Sequence, residues 1–267
     1  SVYSATKCPV TTNSGTSALR LALLLEGIGS GDEVILPPQT FVATGTVVLN
    51  AGAIPVFADI DPRTGNLCPF SLKKKITHRT RMVIGVHWCG LPCEIGLINK
   101  ICWDKELSLV WDAAHAFGAT WERRPVSYDP VSHTMFSFQA TKHLTTGDGG
   151  ALCVGYGAPK ADKTQMARLL RWFGMDRQKH LGHLGGRTDN VMMVGSKLHM
   201  NDLAAALGLC NLEGFSERLQ RRQTIGKRYR DALEDVTDVT LLNLPPGRTH
   251  AYYAFPLLVA RRDKFAL

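Results

Sequence analysis

Leu107-Ser-Leu-Val-Trp111-Asp112-Ala-Ala-His115 is a mostly apolar run that ends on a carboxylate and passes into small residues. A short segment of this kind reads as a buried strand entering a loop. Glu33-Val-Ile-Leu36, Ile54-Pro-Val-Phe-Ala58, Arg81-Met-Val-Ile-Gly-Val86, His133-Thr-Met-Phe-Ser-Phe138 and Ala151-Leu-Cys-Val154 have the same character. Between them, Thr16 to Leu25, Thr40 to Asn50, Glu94 to Lys105 and Asp162 to Phe173 carry helix-like spacing. The alternation predicts an α/β fold of three layers, a mostly parallel sheet with flanking helices. Ligands of such sheets gather beyond the carboxyl ends of strands. Asp112 and Lys142 both fall at such ends.

The pattern changes at Asn201. Leu203, Ala206, Leu207, Leu209, Cys210 and Leu212 are expected to line a helix running on past Arg218 to Arg230, towards Asp235. Val239-Thr-Leu-Leu242, a Pro245-Pro-Gly247 turn and Tyr252 to Val259 follow. The expected division is a large ligand-binding domain at 1–213, then a connecting helix and the beginning of a smaller α/β domain at 214–267. The chain opens at Ser1 already running into its first motif and stops soon after a strand-like stretch, so it reads as a fragment.

At 267 residues the chain can bury a large core. With no run of about eighteen apolar residues and no signal peptide, the expectation is a cytoplasmic protein that spans no membrane. Seven cysteines, an odd number scattered through core segments, read as reduced thiols. Cys89 and Cys93 have no second pair or histidine cluster to complete a metal site, so no metal is expected. The net charge of +8 comes from dispersed basic residues without a nucleic-acid motif. It suits anionic small molecules instead.

Three segments carry the chemistry. Ser137-Phe-Gln-Ala-Thr-Lys142-His-Leu-Thr-Thr-Gly147-Asp-Gly-Gly150 sets a lysine between a strand end and a glycine-rich turn, with a serine five residues before it. That spacing suits an amine nucleophile beside a phosphate. Burial and a neighbouring positive charge favour the neutral amine that attacks a carbonyl. Asn13-Ser-Gly-Thr-Ser17 stands at a helix start, where free N–H groups and the dipole favour an anion. Asp112 is a strand-end carboxylate that needs a partner, and a pyridinium nitrogen would serve. Taken singly these are a solvated lysine, a helix cap and a loop-capping aspartate. Together they describe a pyridoxal 5'-phosphate (PLP) site. Phe41 could stack on a flat ring, and from spacing alone it is equally a core residue.

The chain resembles the DegT/DnrJ/EryC1/StrS family of PLP-dependent sugar aminotransferases, which have the aspartate aminotransferase fold (fold type I). The likeness runs through Asn13 to Leu19, Thr40-Phe-Val-Ala-Thr44, Gly52 to Asp61, Val86-His-Trp-Cys-Gly90, Asp112-Ala-Ala-His115, Ser137 to Gly150 and Met200 to Gly208. It implies that Lys142 forms the imine with PLP and shuttles the proton, and that Asp112 pairs with the pyridine nitrogen. His115 would lie by the phenolic oxygen, Thr16, Ser17 and Ser137 would hold the phosphate, and Phe41 would stack on the ring. A homodimer is implied, because in the family a neighbouring subunit supplies an asparagine to the phosphate. Gly195-Ser-Lys-Leu-His-Met200 lacks that asparagine, and Lys197 or His199 is the candidate to replace it.

Some relatives carry histidine at the lysine position and deoxygenate sugars. Lys142 is retained here, which favours transamination from L-glutamate to a nucleotide-linked keto-deoxysugar. Arg171, Arg177 and Lys197 are candidates for the diphosphate. The alternatives are a cyclitol or related ketone as acceptor, a PLP-binding regulatory protein without turnover, and a chain left inactive by an incomplete substrate cleft.

Overall fold

The computed structural model describes residues 9–155, 163–176 and 191–265. Its elements in the first half are β1 Val10–Thr12, α1 Gly15–Leu25, β2 Glu33–Leu36, α2 Val42–Asn50, β3 Ile54–Phe57, α3 Pro69–Lys75, β4 Thr80–Val86, α4 Ile95–Asp104 and β5 Ser108–Asp112. There follow β6 Thr120–Trp121, β7 Arg124–Pro125, β8 His133–Ser137, β9 Gly150–Cys153 and α5 Thr164–Leu170. The last part holds α6 Asp202–Leu212, α7 Phe215–Leu233, β10 Val239–Leu241, β11 Arg248–Thr249, β12 Leu257–Val259 and α8 Arg262–Phe265.

Seven strands form the central sheet in the order β1-β9-β8-β5-β4-β2-β3. β8, β5, β4, β2 and β3 are mutually parallel, while β9 runs against both β8 and β1. Apart from the edge strand β3, whose Ile54 and Phe57 are exposed, the strands are largely buried, and their side chains alternate between two cores. Ile35, Val83, Leu109, Trp111 and Phe136 enter one core with Leu72 of α3 and Ile95 and Ile98 of α4. Val34, Leu36, Met82, Ile84, Val110 and Met135 enter the other with α1, Val47 and Val48 of α2, and Ala167 and Leu170 of α5. This is the expected three-layer arrangement.

The six expected strands form within two residues of the anticipated ends. β10 and β12 fall within the stretches Val239 to Leu242 and Tyr252 to Val259, whereas β1, α3 and the small β11-β6-β7 sheet were not anticipated. They are two to seven residues long, too short for a period to show. One expectation is corrected. The helix anticipated from Asn201 to Asp235 is two helices, because Gly214 adopts a left-handed conformation (φ 66°) that ends the first and starts the second. On α6, Leu203, Leu207 and Leu209 face outward, with Leu203 85% exposed.

Candidate active site

Three strand ends meet at the carboxyl edge of the sheet. β4 ends at Val86, β5 at Asp112 and β8 at Ser137. Asp112 is buried, and its two oxygens have different partners. The Ala114 N–H donates to Oδ1 (3.1 Å), and the Thr44 hydroxyl donates to Oδ2 (3.0 Å). Thr40 Oγ1 lies 2.8 Å from Thr44 Oγ1. Burial raises the carboxyl's pKa above the ordinary aspartate range, against the opposing influence of the Ala114 N–H, the Thr44 hydroxyl and the Lys142 charge. A buried acid in this state is stabilised as an anion by a cation placed against it.

The start of α1 is the candidate anion cradle. α1 starts at Gly15, with Ser14 as its N-cap: Ser14 Oγ accepts from the Ser17 N–H (3.1 Å) and donates to Ser17 Oγ (3.0 Å). The helix-cap alternative is therefore real for Ser14, while Thr16 and Ser17 occupy the first turn, where N–H groups lack intrahelical partners. Ser137 closes the cradle. A Cβ on Gly15 would come within 2.7 Å of Ser137 Cβ, and one on Gly150 within 2.5 Å of the Ser14 carbonyl oxygen. Glycine at both positions brings the helix end, Ser137 and β9 into direct contact.

Lys142 sits in a turn that leaves β8 and returns as β9. Its N–H donates to the Gln139 carbonyl (2.9 Å), and the Thr146 N–H donates to that of Phe138 (2.9 Å). Gly147 supplies the left-handed backbone (φ 78°). The lysine is half-buried, and its Nζ lies 4.4 Å from the centroid of the Tyr253 ring. The other face of that environment is His115, stacked on Tyr253 at 4.0 Å and 5° between planes. His115 Nδ1 is buried without a hydrogen-bond partner. Burial, then the charges of Lys142 and His143, lower its pKa to about 3. His143 is no mere neighbour of the lysine. It is buried, and its Nε2 lies 2.9 Å from the Ala251 carbonyl oxygen.

The remaining expectations fare differently. Phe41 is 70% exposed at the N-cap of α2, which removes the core alternative. The Arg171 guanidinium donates to the Thr11 carbonyl (2.6 Å) and hydroxyl (3.0 Å), tying α5's end to β1. Lys197 is exposed, and His199 packs edge-on against Trp172 and bridges to Thr12. Arg177 lies outside the described residues. Sequence reasoning missed Thr44 and Tyr253. Thr44 carried a faint signal, a hydroxyl one helical turn after Thr40; Tyr253 carried none, since it reaches the site from a distant segment.

Residues 1–266 match the DegT/DnrJ/EryC1/StrS aminotransferase family. The chain belongs to that family. It is similar to the spore coat polysaccharide biosynthesis protein SpsC of Bacillus subtilis (strain 168), 37% identical over 95% of this chain and 64% of that protein. It is also similar to GDP-perosamine synthase of Caulobacter vibrioides, 36% identical over 86% of this chain and 59% of that protein. Among solved structures, Spr1654 from Streptococcus pneumoniae in its PLP form superposes with a TM-score of 0.86 at 28% identity, over 97% of this chain and 68% of that one. The chain thus spans less than two thirds of the length of these two curated relatives. The fold is that of the PLP-dependent fold type I aminotransferases.

The residues present fit PLP. A buried carboxylate short of a cation and a cradle that excludes any Cβ match a pyridinium and a phosphate respectively. Among the described residues no group of histidine, cysteine or acidic side chains could hold a metal, and no helix is long and apolar enough to cross a membrane.

Proposed function

We propose that this protein is a PLP-dependent aminotransferase that moves an amino group from an amino acid, L-glutamate, to a ketone on a nucleotide-linked deoxysugar. The observation that carries the reading is the buried Asp112 at the end of β5, with Lys142 close enough for its charge to act on it. Family membership and the nucleotide sugar in the name of GDP-perosamine synthase support the substrate class.

Bound PLP would supply an electron sink for the bond changes at the substrate carbon. The protein's own residues do the rest. The first turn of α1, with Thr16 and Ser17, and Ser137 hold the phosphate through N–H and hydroxyl donors. Asp112 holds the pyridine nitrogen protonated, and Thr44 and Ala114 keep its carboxylate turned towards it. His115, neutral at physiological pH, would lie by the ring oxygen. Phe41 covers the ring. Lys142 Nζ would hold the cofactor and, as a positioned acid and base, would move a proton at the substrate carbon. A homodimer is part of this reading, and the outward leucines of α6 support it. So is the division into a large domain at 1–213 and a second unit from 214.

The test is the absorption spectrum of the purified chain with PLP, before and after L-glutamate. A visible band that is absent in Lys142→Ala and bleached by glutamate is the expected result; a ketosugar screen then identifies the acceptor. A band that glutamate leaves unchanged would refute turnover and favour a regulatory or incomplete protein. Absence of any Lys142-dependent band would remove the cofactor assignment.

A further inference from the structure

Residues 250–253 are stitched onto the site by three main-chain contacts. The Ala251 N–H donates to the Gly90 carbonyl (2.9 Å), the Tyr253 N–H donates to that of Cys89 (2.9 Å), and the Ala251 carbonyl lies 2.9 Å from His143 Nε2. The seam is tight. Cys89 and Tyr252 both hold left-handed backbone (φ 53° each), uncommon for residues with a side chain, and Gly90 does so at 102°. A Cβ on Gly90 would come within 2.7 Å of the His115 carbonyl oxygen and 3.0 Å of the Tyr252 nitrogen. All of this delivers one ring. Tyr253 lies flat on His115, its hydroxyl is 3.2 Å from Thr141 Oγ1, and Lys142 Nζ sits over its face. Among the described residues the amine has the Tyr253 ring as a direct contact, and its charge also acts on Asp112.

We propose that Tyr253 is a positioning residue for Lys142, a cation–π seat that holds the amine whenever it is not attached to the cofactor. This rests on the reading of Lys142 as the cofactor-bearing lysine. An aminotransferase leaves its lysine unattached between half-reactions, and an unattached four-carbon stem would otherwise sample many rotamers. A ring face attracts the charged form of the amine and restricts those rotamers without forming a bond that must be broken. The Thr141 contact sets the ring from the lysine's own turn. The seat is made by the ring, so its hydroxyl is secondary.

Two measurements on the cofactor-free chain test this. In the first, Lys142 is acetylated by limiting acetic anhydride at neutral pH and quantified by peptide mass spectrometry. Tyr253→Leu should label roughly 2- to 30-fold faster than the unaltered chain, and Tyr253→Phe within about 2-fold of it. Equal labelling in all three, or Tyr253→Phe behaving as Tyr253→Leu, would overturn the seat. The second needs no variant at Tyr253 and so survives a misfolded Tyr253→Leu. With lysines carbon-13 labelled at Cε, the Lys142 signal, assigned by its loss in Lys142→Ala, should lie upfield of the exposed lysines because of the ring current. A signal coincident with those lysines would overturn the proposal. Neither readout uses PLP, so a failure of the cofactor assignment would show separately, in the absorption spectrum.

Discussion

Thr44 donates its hydroxyl proton to Asp112 Oδ2 at 3.0 Å from the first turn of α2, a helix that enters the site by no other buried polar group. Thr44 is fully buried, and Thr40 is its other partner. The hydroxyl therefore both satisfies a desolvated oxygen and fixes the plane of the carboxylate. Hydrogen bonds to charged groups contribute about 1.5–3 kcal/mol. Thr44→Val keeps the shape and removes the bond, so PLP affinity should fall by roughly 10- to 100-fold. Thr44→Ser should retain most of it. Titration of PLP by absorbance checks both, and an unchanged Thr44→Val would remove Thr44 from the site.

Asp112 should cost the cofactor-free protein stability. Its folded pKa is raised, so the folded state favours the protonated carboxyl. Stability associated with that proton is fully present below the unfolded value of about 3.9 and is lost as pH rises through the folded value. At neutral pH the ionised carboxylate therefore disfavours folding. Asp112→Asn should raise the Tm of the cofactor-free chain at pH 7, with the gain shrinking towards pH 4, while PLP binding is lost. A Tm lowered at pH 7 would contradict this.

Buried histidines give the opposite slope. Burial, assisted by neighbouring positive charges, lowers His87, His115 and His250 to about 3. Burial lowers His143 to about 4, the Ala251 carbonyl opposing. All four stay neutral in the folded chain and take protons on unfolding below about pH 6.5. Their stabilising effect is full above that pH and declines as pH falls towards their folded values. Each contributes up to about 1.4 kcal/mol per pH unit across that window. Urea midpoints should therefore drop steeply between pH 6.5 and 4.5. A flat profile there would show that these rings can be protonated in place.

Gly15→Ala tests the cradle. Its methyl would meet Ser137 at 2.7 Å, and Ser137 ends a buried strand that cannot retreat. The helix end should move off the phosphate site, weakening PLP and inorganic phosphate binding together. Isothermal titration with phosphate separates this from damage at Lys142. Unchanged phosphate affinity would mean that the anion is held elsewhere.

Much of this was legible in the sequence. Six strands and four helices could be read from their periods, because buried parallel strands and one-faced helices leave strong patterns. Asp112, Ser137 and Lys142 stand out in the sequence because Asp112 and Ser137 end strands and Lys142 follows one. Phe41 and Thr44 show the limit: the aromatic residue lies exposed, while the hydroxyl beside it reaches the carboxylate. Which side of α2 faces the sheet decides that, and a nine-residue helix of mixed small and branched residues does not declare its face. The break at Gly214 escaped because apolar residues continue on both sides of it. Tyr253 escaped because contacts between distant segments leave no local trace.

The strap that ends at Tyr253 also orders events in time. A ribosome completes Lys142, the α1 cradle and Asp112 well before it reaches the strap, and elongation makes that interval on the order of ten seconds. During it Lys142 and the start of α1 are made but the Tyr253 ring is not. Until then His115 lacks the ring that stacks on it, and His143 lacks the Ala251 carbonyl at its Nε2.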